Sequence, residues 1–150
     1  MRQPLAIFFA LAAAGCGPSP FVRADATRDA DGKRFAAPAP DRAALYVVSP
    51  RYGGVEISLG QRSVGLVAEK GWIRVDVRPG TYTIRCQFVA LKDGGARMEI
   101  ELRAGQIAYV SSDYVPLGAP SCRLTPETVA AGQAQVLAAR RMQEFSDPND

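Results

Sequence analysis

Three cysteines are the residues of this chain whose chemistry is indicated most clearly by their surroundings. The first, Cys16, follows an uncharged apolar run from Leu5 to Ala14, with one positive charge, Arg2, ahead of it. A charged start, an apolar core and small residues at its end are the parts of a secretory signal peptide. The run is too short for a membrane-spanning helix, which needs about 20 apolar residues. Cleavage after Gly15 would leave the Cys16 thiol at the new amino terminus.

Residues 11–16 (LAAAGC) resemble the lipobox of bacterial lipoproteins, in which the cysteine thiol is acylated and the signal peptide is cut in front of it. Ala13 stands where Leu is commoner. We therefore expect residues 1–15 to be a lipoprotein signal peptide and Cys16 to carry acyl chains such as palmitate. Several chains on one cysteine anchor a protein stably, because each buried CH₂ contributes about 0.8 kcal/mol. An ordinary signal peptide, with Cys16 unmodified, is the alternative.

The residue after the lipidated position bears on which membrane holds the protein. In the resemblance to Gram-negative lipoproteins, an Asp at this position favours retention in the inner membrane, and this chain has Gly17 there. The outer membrane, with the domain facing the periplasm, is therefore the expected location. The membrane is the first expected partner, reached through Cys16.

The other two cysteines, Cys86 and Cys122, are an even pair in an oxidising compartment once Cys16 carries lipid. Such a pair predicts a disulfide. Two separate buried thiols are the alternative, because the sequence does not show whether the two Cα atoms approach within about 7 Å. The chain has no CxxC motif, so nothing indicates a zinc site or thioredoxin-type chemistry.

The residues that could catalyse a reaction lack an activating partner. Ser111, Ser112 and Asp113 include a nucleophile type, but the chain contains no histidine, the commonest general base and metal ligand. Glu99 and Glu101 alternate with apolar residues, as on the solvent face of an antiparallel strand. We therefore predict a binding protein that is not an enzyme and has no cofactor. An envelope hydrolase accessory, or a weak hydrolase built on Ser and carboxylates, is the alternative.

The elements that must position these residues are mostly strands, because short apolar runs alternate with turn residues in a pattern typical of all-β proteins. Turns at Gly60-Gln61, Pro79-Gly80 and Ala104-Gly105 predict three hairpins whose apolar residues share one face. The expected fold is an antiparallel β-sandwich of about seven strands. Its strands are predicted at residues 43–49, 54–59, 62–68, 71–77, 82–89, 96–102 and 107–113.

The remaining segments flank this domain, which is expected over residues 43–124. Residues 16–42 are rich in Pro, Ala and mixed charges and predict a flexible tether, with Phe35 docking just before the first strand. Thr125 and Pro126 predict the cap and first turn of a C-terminal helix within residues 125–150.

A candidate binding face follows from the hairpin about Pro79-Gly80, whose outer side carries Trp72, Arg74 and Arg85. The expected register sets Arg74 opposite Arg85, a like-charge pair that an anionic partner or Asp76 would relieve. An aromatic ring beside charges suits a sugar or a peptide, so an envelope protein or a cell-wall component is the expected partner. The formal net charge of +3 is too small to indicate a nucleic-acid partner. The alternative is that Trp72 packs under a loop or against the C-terminal helix.

Residues from roughly 33 to 125 resemble the DUF2846 family of bacterial lipoproteins. The residues that carry the resemblance are 43–48 (AALYVV), the hairpin with Gly65, 77–82 (VRPGTY) and 104–106 (AGQ) before a strand that contains tyrosine. Residues 48–51 (VSPR) depart from it, because an Arg-Pro pair directly after the strand is more usual. The resemblance implies a small envelope β-domain, similar to PEGA or transthyretin-like sandwiches, with no assigned reaction.

Overall fold

The computed structural model describes residues 19–89, 95–115 and 121–145, and its elements are mostly strands. In chain order they are α1 (Ala26–Gly32), β1 (Ala43–Ser49), β2 (Val55–Leu59), β3 (Arg62–Val67), β4 (Gly71–Val77), β5 (Gly80–Phe88), β6 (Ala96–Leu102), β7 (Ile107–Val115), β8 (Ser121–Glu127), α2 (Val129–Leu137) and β9 (Arg140–Arg141). One sheet has the strand order β8-β7-β1-β4-β9 and the other β3-β2-β5-β6. The predicted fold class, a mainly β sandwich with a C-terminal helix, is confirmed. The first sheet is mixed rather than purely antiparallel, because β1 pairs in parallel with β7 and β4 with β9.

The seven predicted strands are present, with ends within two residues of their predicted positions, and the described residues contain two more, β8 and β9. The helix prediction was wrong at its start. Thr125 and Pro126 belong to β8, where they pair with Ser111 and Val110 of β7. The helix α2 is capped instead by Thr128, whose side chain accepts a hydrogen bond from the Ala131 N–H at 3.3 Å. Because β8 is an edge strand, the missing N–H of Pro126 is tolerated there.

One predicted hairpin forms, between β2 and β3 across Gly60-Gln61. Ser58 faces Ser63 as the two-residue turn requires. A β-bulge between Ile57 and Ser58 then shifts the register, so that Ile57 faces Gly65 rather than Val64. The bulge explains the difference, because it adds one residue to one side of the pairing.

The other two predicted hairpins were wrong, because their turns carry the chain from one sheet to the other. After Pro79-Gly80, β5 pairs with β2 and β6, whereas β4 before it pairs with β1 and β9. After Ala104-Gly105, β7 pairs in parallel with β1 and antiparallel with β8. Apolar alternation is satisfied equally well by two strands that face each other across a core and by two that lie side by side. The alternation therefore could not distinguish the two arrangements.

Two apolar clusters hold the domain together, and β1 contributes to both because all seven of its residues are buried. Leu45 and Val47 belong to the main core between the two sheets, together with Ile57 and Ile84 of the facing sheet. Alternate residues of β1 lie on the opposite face of the first sheet. There they form an outer cluster of Ala44, Tyr46, Val48, Trp72, Tyr109, Val136 and Ala139, with Phe35 packed against it.

The disulfide prediction is confirmed, since Cys86 and Cys122 are bonded with their Cα atoms 6.1 Å apart. Cys86 lies on β5 of one sheet and Cys122 on β8 of the other, so the bond crosses the main core. The last strand predicted from the sequence ends at residue 113, whereas Cys122 lies in a further strand, β8. The bridge thus joins the two layers of the sandwich.

The segment predicted to be a flexible tether is packed on the domain from Phe21 onward. Phe21 contacts the main core, and Arg23 pairs with Met142 in an isolated β-bridge. The helix α1 begins after Asp25, whose carboxylate accepts a hydrogen bond from the Arg28 N–H at 2.8 Å. A Cβ at Gly32 of α1 would overlap the Trp72 ring, so the helix lies directly on the outer cluster. The Pro- and Ala-rich composition of this segment gives no indication that these few residues anchor it to the domain.

The end of the described chain, residues 140–145, forms a C-terminal strap across one side of the sandwich. Its β9 pairs with β4 of one sheet, and Glu144 forms a bridge with Gly65 of β3 in the other. Backbone hydrogen bonds from Met142 to Trp72 (2.7 Å) and from Gln143 to Val22 (2.8 Å) fix it. The strap therefore joins both sheets to the N-terminal segment.

Candidate functional site

The predicted binding face of Trp72, Arg74 and Arg85 is not formed. Trp72 is fully buried in the outer cluster, which agrees with the alternative that it packs beneath other elements. Arg85 is exposed on the second sheet, where its strand neighbours are Ser58 and Arg97 rather than Arg74. The wrong assignment follows from the wrong hairpin, because β4 and β5 lie in different sheets.

The aromatic side chains of the outer cluster form a support for the charged groups above them. The Tyr46 ring lies 5.5 Å from Trp72 and 5.2 Å from Tyr109, centroid to centroid, and Phe35 lies 5.7 Å from Tyr46. Burial raises the pKa of Tyr46, and the positive charge of Arg74 offsets this only in part. The hydroxyl therefore stays neutral and donates to the Gly32 carbonyl at 2.8 Å.

Of the three residues of the predicted face, Arg74 is the one that lies within a network of polar contacts. Its Nε and Nη2 donate to the two carboxylate oxygens of Asp76, at 2.7 and 3.1 Å. Its Nη1 donates to the Ala36 carbonyl at 3.0 Å and to the Tyr46 hydroxyl at 3.2 Å. Desolvation acts to lower the pKa of Arg74, but the Asp76 hydrogen bonds and charge outweigh it and raise that pKa. Asp76 therefore fulfils the charge-relieving role that the sequence suggested.

A second arginine, Arg141, is fixed beside the first by the C-terminal strap. Its guanidinium lies 5.2 Å from the centre of the Trp72 ring, a cation–π contact, and its Nε donates to Glu144 at 2.9 Å. The same carboxylate accepts from Arg28 at 3.2 Å and from the Arg74 backbone N–H at 3.2 Å. Glu144 thereby holds α1, β4 and the strap in one arrangement.

Asp29 on α1 fixes the other side of the strap. Its carboxylate accepts from the Arg141 backbone N–H at 2.6 Å and from Lys33 Nζ at 2.9 Å. Burial acts to raise the pKa of Asp29, but these hydrogen bonds and the Lys33 charge outweigh it, so its pKa is lowered. The ionised carboxylate is therefore the form that the fold stabilises.

The paired groups Arg74 and Asp76, and Arg141 and Glu144, line an open cleft of about 850 Å³. The cleft is bounded by α1, β4, the strap and the turns at residues 59–62 and 78–82. Its charged lining consists of six arginines and three acids: Arg28, Arg42, Arg62, Arg74, Arg78 and Arg141 against Asp31, Asp76 and Glu144. We call this the arginine cleft, and it is the largest concentration of one charge sign that the described cavities contain.

Sequence reasoning found Arg74 and missed the other arginines of the cleft. They are spread from residue 28 to residue 141 and have no motif spacing, because the fold brings them together from separate elements. Arg78 lies inside the VRPGTY turn and Arg62 beside the Gly60-Gln61 turn. Arginines next to turns are the only local signal, and many surface turns share it.

The serines considered as nucleophiles hold strands together. The Ser111 hydroxyl donates to Glu127 at 2.6 Å, and Ser111 is 6% exposed. Ser112 is fully buried and its hydroxyl donates to the Val48 carbonyl at 3.4 Å. Asp113 forms an ion pair with Arg51. These contacts join β7 to β8 and to β1.

Glu99 and Glu101 are both exposed on β6, alternating with half-buried residues as the sequence predicted. The lipidation residue, Cys16, lies outside the described residues. Residues 19–89, 95–115 and 121–145 contain no group of three or more Cys, Asp or Glu that could hold a metal ion. They also contain no helix of the length and apolarity needed to cross a membrane.

No protein-family model matches this chain, and no curated protein is significantly similar to it.

Proposed function

We propose that the protein is a non-catalytic lipoprotein of the bacterial cell envelope that acts as a binding module. The observation that carries this proposal is the apolar run that ends in Gly15-Cys16, which suits cleavage and acylation at Cys16. The bond between Cys86 and Cys122 supports an oxidising compartment, because disulfides are rare in the cytosol. The outer membrane, facing the periplasm, is the proposed location because Gly17 follows Cys16, and the resemblance to DUF2846 lipoproteins supports an envelope protein.

The short distance from Cys16 to the first packed residue supports a function at the membrane surface. Phe21 contacts the main core, only five positions after Cys16. Extended chain spans at most about 3.6 Å per residue, so this connection reaches at most about 18 Å. The proposed anchor would therefore hold the domain close to the lipid headgroups, with little freedom to leave them.

The arginine cleft is the proposed binding site, and an envelope protein or a cell-wall component is the proposed partner class. Its lining has an excess of positive side chains and is open to solvent. Clefts lined by one charge sign focus the electrostatic field and attract ligands of the opposite sign. Nothing in the described serine contacts offers a comparable open site.

Metabolic labelling with palmitate tests the anchor. We expect the wild-type protein to incorporate label and to sediment with outer-membrane fractions, and Cys16→Ser to lose the label. Ser19→Ala is the matched control, because it changes an exposed residue near the proposed anchor, keeps all three cysteines and should leave labelling intact. Gly17→Asp should keep the label and move the protein toward inner-membrane fractions. Label retained in Cys16→Ser would overturn the proposed anchor.

A further inference from the structure

We propose that the arginine cleft binds a phosphate-bearing ligand that carries two or more negative charges. This deepens the proposed binding function by naming its ligand chemistry. The ligand's phosphate has two sources near a membrane-anchored domain, a phospholipid headgroup or a soluble phosphate compound. The shared chemistry is recognition of phosphate oxygens by guanidinium groups, which match that geometry with two parallel hydrogen bonds.

Charge is the first support. The cleft lining has six arginines and three acids, an excess of three positive charges. Without Arg2, which the proposed cleavage removes, the chain has 17 Lys and Arg against 15 Asp and Glu, a formal net charge of +2. The cleft therefore carries more positive charge than the mature chain as a whole, and the charged residues outside it are slightly acidic in sum.

The acids of the cleft are already paired, and they do not occupy Arg42 or Arg78. Asp76 is held by Arg74, and Asp31 lies 3.6 Å from Arg34. Glu144 accepts from Arg28 and Arg141. In the part of the chain that the structure describes, the guanidinium groups of Arg42 and Arg78 form no ion pair, so no acidic partner accounts for their position in the cleft.

The cleft also has a rigid wall. The Arg74 and Arg141 side chains are 13% and 14% exposed, and each is fixed by a carboxylate and by an aromatic ring. Arginines that are ordered before the ligand arrives lose little conformational entropy when it binds. Fixed arginines in the same cleft as Arg42 and Arg78 are suited to a ligand with more than one anionic group.

The position of the cleft suits a phosphate source at the membrane, and this step rests on the proposed anchor. Residues 143–145 of the strap line the cleft, and Gln143 donates its backbone N–H to the Val22 carbonyl at 2.8 Å. Val22 is six positions after Cys16. Val22 and Phe145 are 52% and 46% exposed, and both line a smaller pocket that shares residues 143–145 with the cleft. The chain that leads to the proposed anchor thus begins beside the cleft.

The test uses mature protein with Cys16→Ser, so that binding is measured without the lipid and its result does not depend on acylation. Pyrophosphate binding is measured by titration calorimetry at low salt, with citrate as a non-phosphate anion. Vesicles that contain cardiolipin, a lipid whose headgroup carries two phosphates, are compared with vesicles of phosphatidylcholine by co-sedimentation. A lipid source predicts binding to the anionic vesicles that pyrophosphate competes away. A soluble source predicts pyrophosphate binding alone.

The double variant Arg42→Gln/Arg78→Gln should weaken phosphate binding at least about tenfold, since it removes two charge-assisted donors. The matched control is Arg85→Gln/Arg97→Gln, which removes the same charge from an exposed strand pair outside the cleft. It should change the affinity less than about twofold. Thermal melts of both variants check that each is folded. Absence of phosphate binding, equal affinity for citrate, or an equal loss in the control would each overturn the proposal.

Discussion

Cys86 on β5 and Cys122 on β8 are bonded across the main core, and they join the two sheets of the sandwich. The two cysteines are 36 residues apart in the chain. In the chain-entropy description, a crosslink that closes a loop of this length stabilises the fold by about 4 kcal/mol. This is a large share of the stability of a small domain.

The double variant Cys86→Ala/Cys122→Ala should therefore lose about 4 kcal/mol in the free energy of unfolding, measured with urea. The wild-type protein under reductant should show a similar loss. Alkylation of denatured, unreduced protein should leave both thiols unmodified. Two alkylated cysteines under those conditions would contradict the bridge.

Trp72 tests the packing of the outer cluster. It is fully buried between α1, Tyr46 and Arg141, so Trp72→Ala should cost about 3–5 kcal/mol in the free energy of unfolding. Tyr52→Ala removes an aromatic ring that is 53% exposed and should cost less than about 1 kcal/mol. A loss of stability as small for Trp72→Ala as for Tyr52→Ala would show that Trp72 is exposed and would contradict the buried cluster.

Gly132 tests the contact of α2 with the first sheet. A Cβ at this position would overlap the Tyr109 ring. Helix propensity alone favours Ala over Gly by about 1 kcal/mol, so the two effects have opposite signs. We expect Gly132→Ala to destabilise the protein by about 1–3 kcal/mol in thermal melts, because overpacking dominates. A stabilised Gly132→Ala protein would show that α2 does not pack closely on Tyr109.

Asp29 predicts a specific pH dependence of stability. Its pKa is lowered in the fold, so its contribution is fully present above the unfolded value of about 3.8 and is lost as the pH falls through the folded value. Asp29→Asn should therefore be less stable than wild type at pH 7, and the difference should shrink as the pH falls below about 4. Urea unfolding at several pH values measures this. A difference that is constant from pH 7 to low pH would contradict the ionised carboxylate contact.

The strand positions could be predicted from the sequence because apolar alternation is a local property. The pairing of strands could not, and Val77 and Tyr82 illustrate the reason. They flank a Pro-Gly turn and both point inward, but they belong to different sheets. Inward-facing residues satisfy the same pattern in a hairpin and in a crossover between layers.

The candidate site could be predicted only in part for a related reason. Trp72 and Tyr46 alternate with core residues along their strands, a pattern that predicts an exposed face. They are buried because α1 and α2 cover the outer face of the sheet. Arg42, Arg78 and Arg141 come together only through the strap and the two turns. The disulfide could be predicted from the even pair of cysteines and the expected oxidising compartment, but only the fold shows that the two Cα atoms lie 6.1 Å apart.

The N-terminal peptide of membrane-extracted protein is the most direct test of the proposed lipoprotein function. Protein extracted with detergent is digested, and the peptide that contains Cys16 is analysed by mass spectrometry. We predict that the mature chain begins at Cys16 and that this residue carries the mass of its acyl chains. An unmodified Cys16, or a mature chain that begins at another residue, would contradict the account.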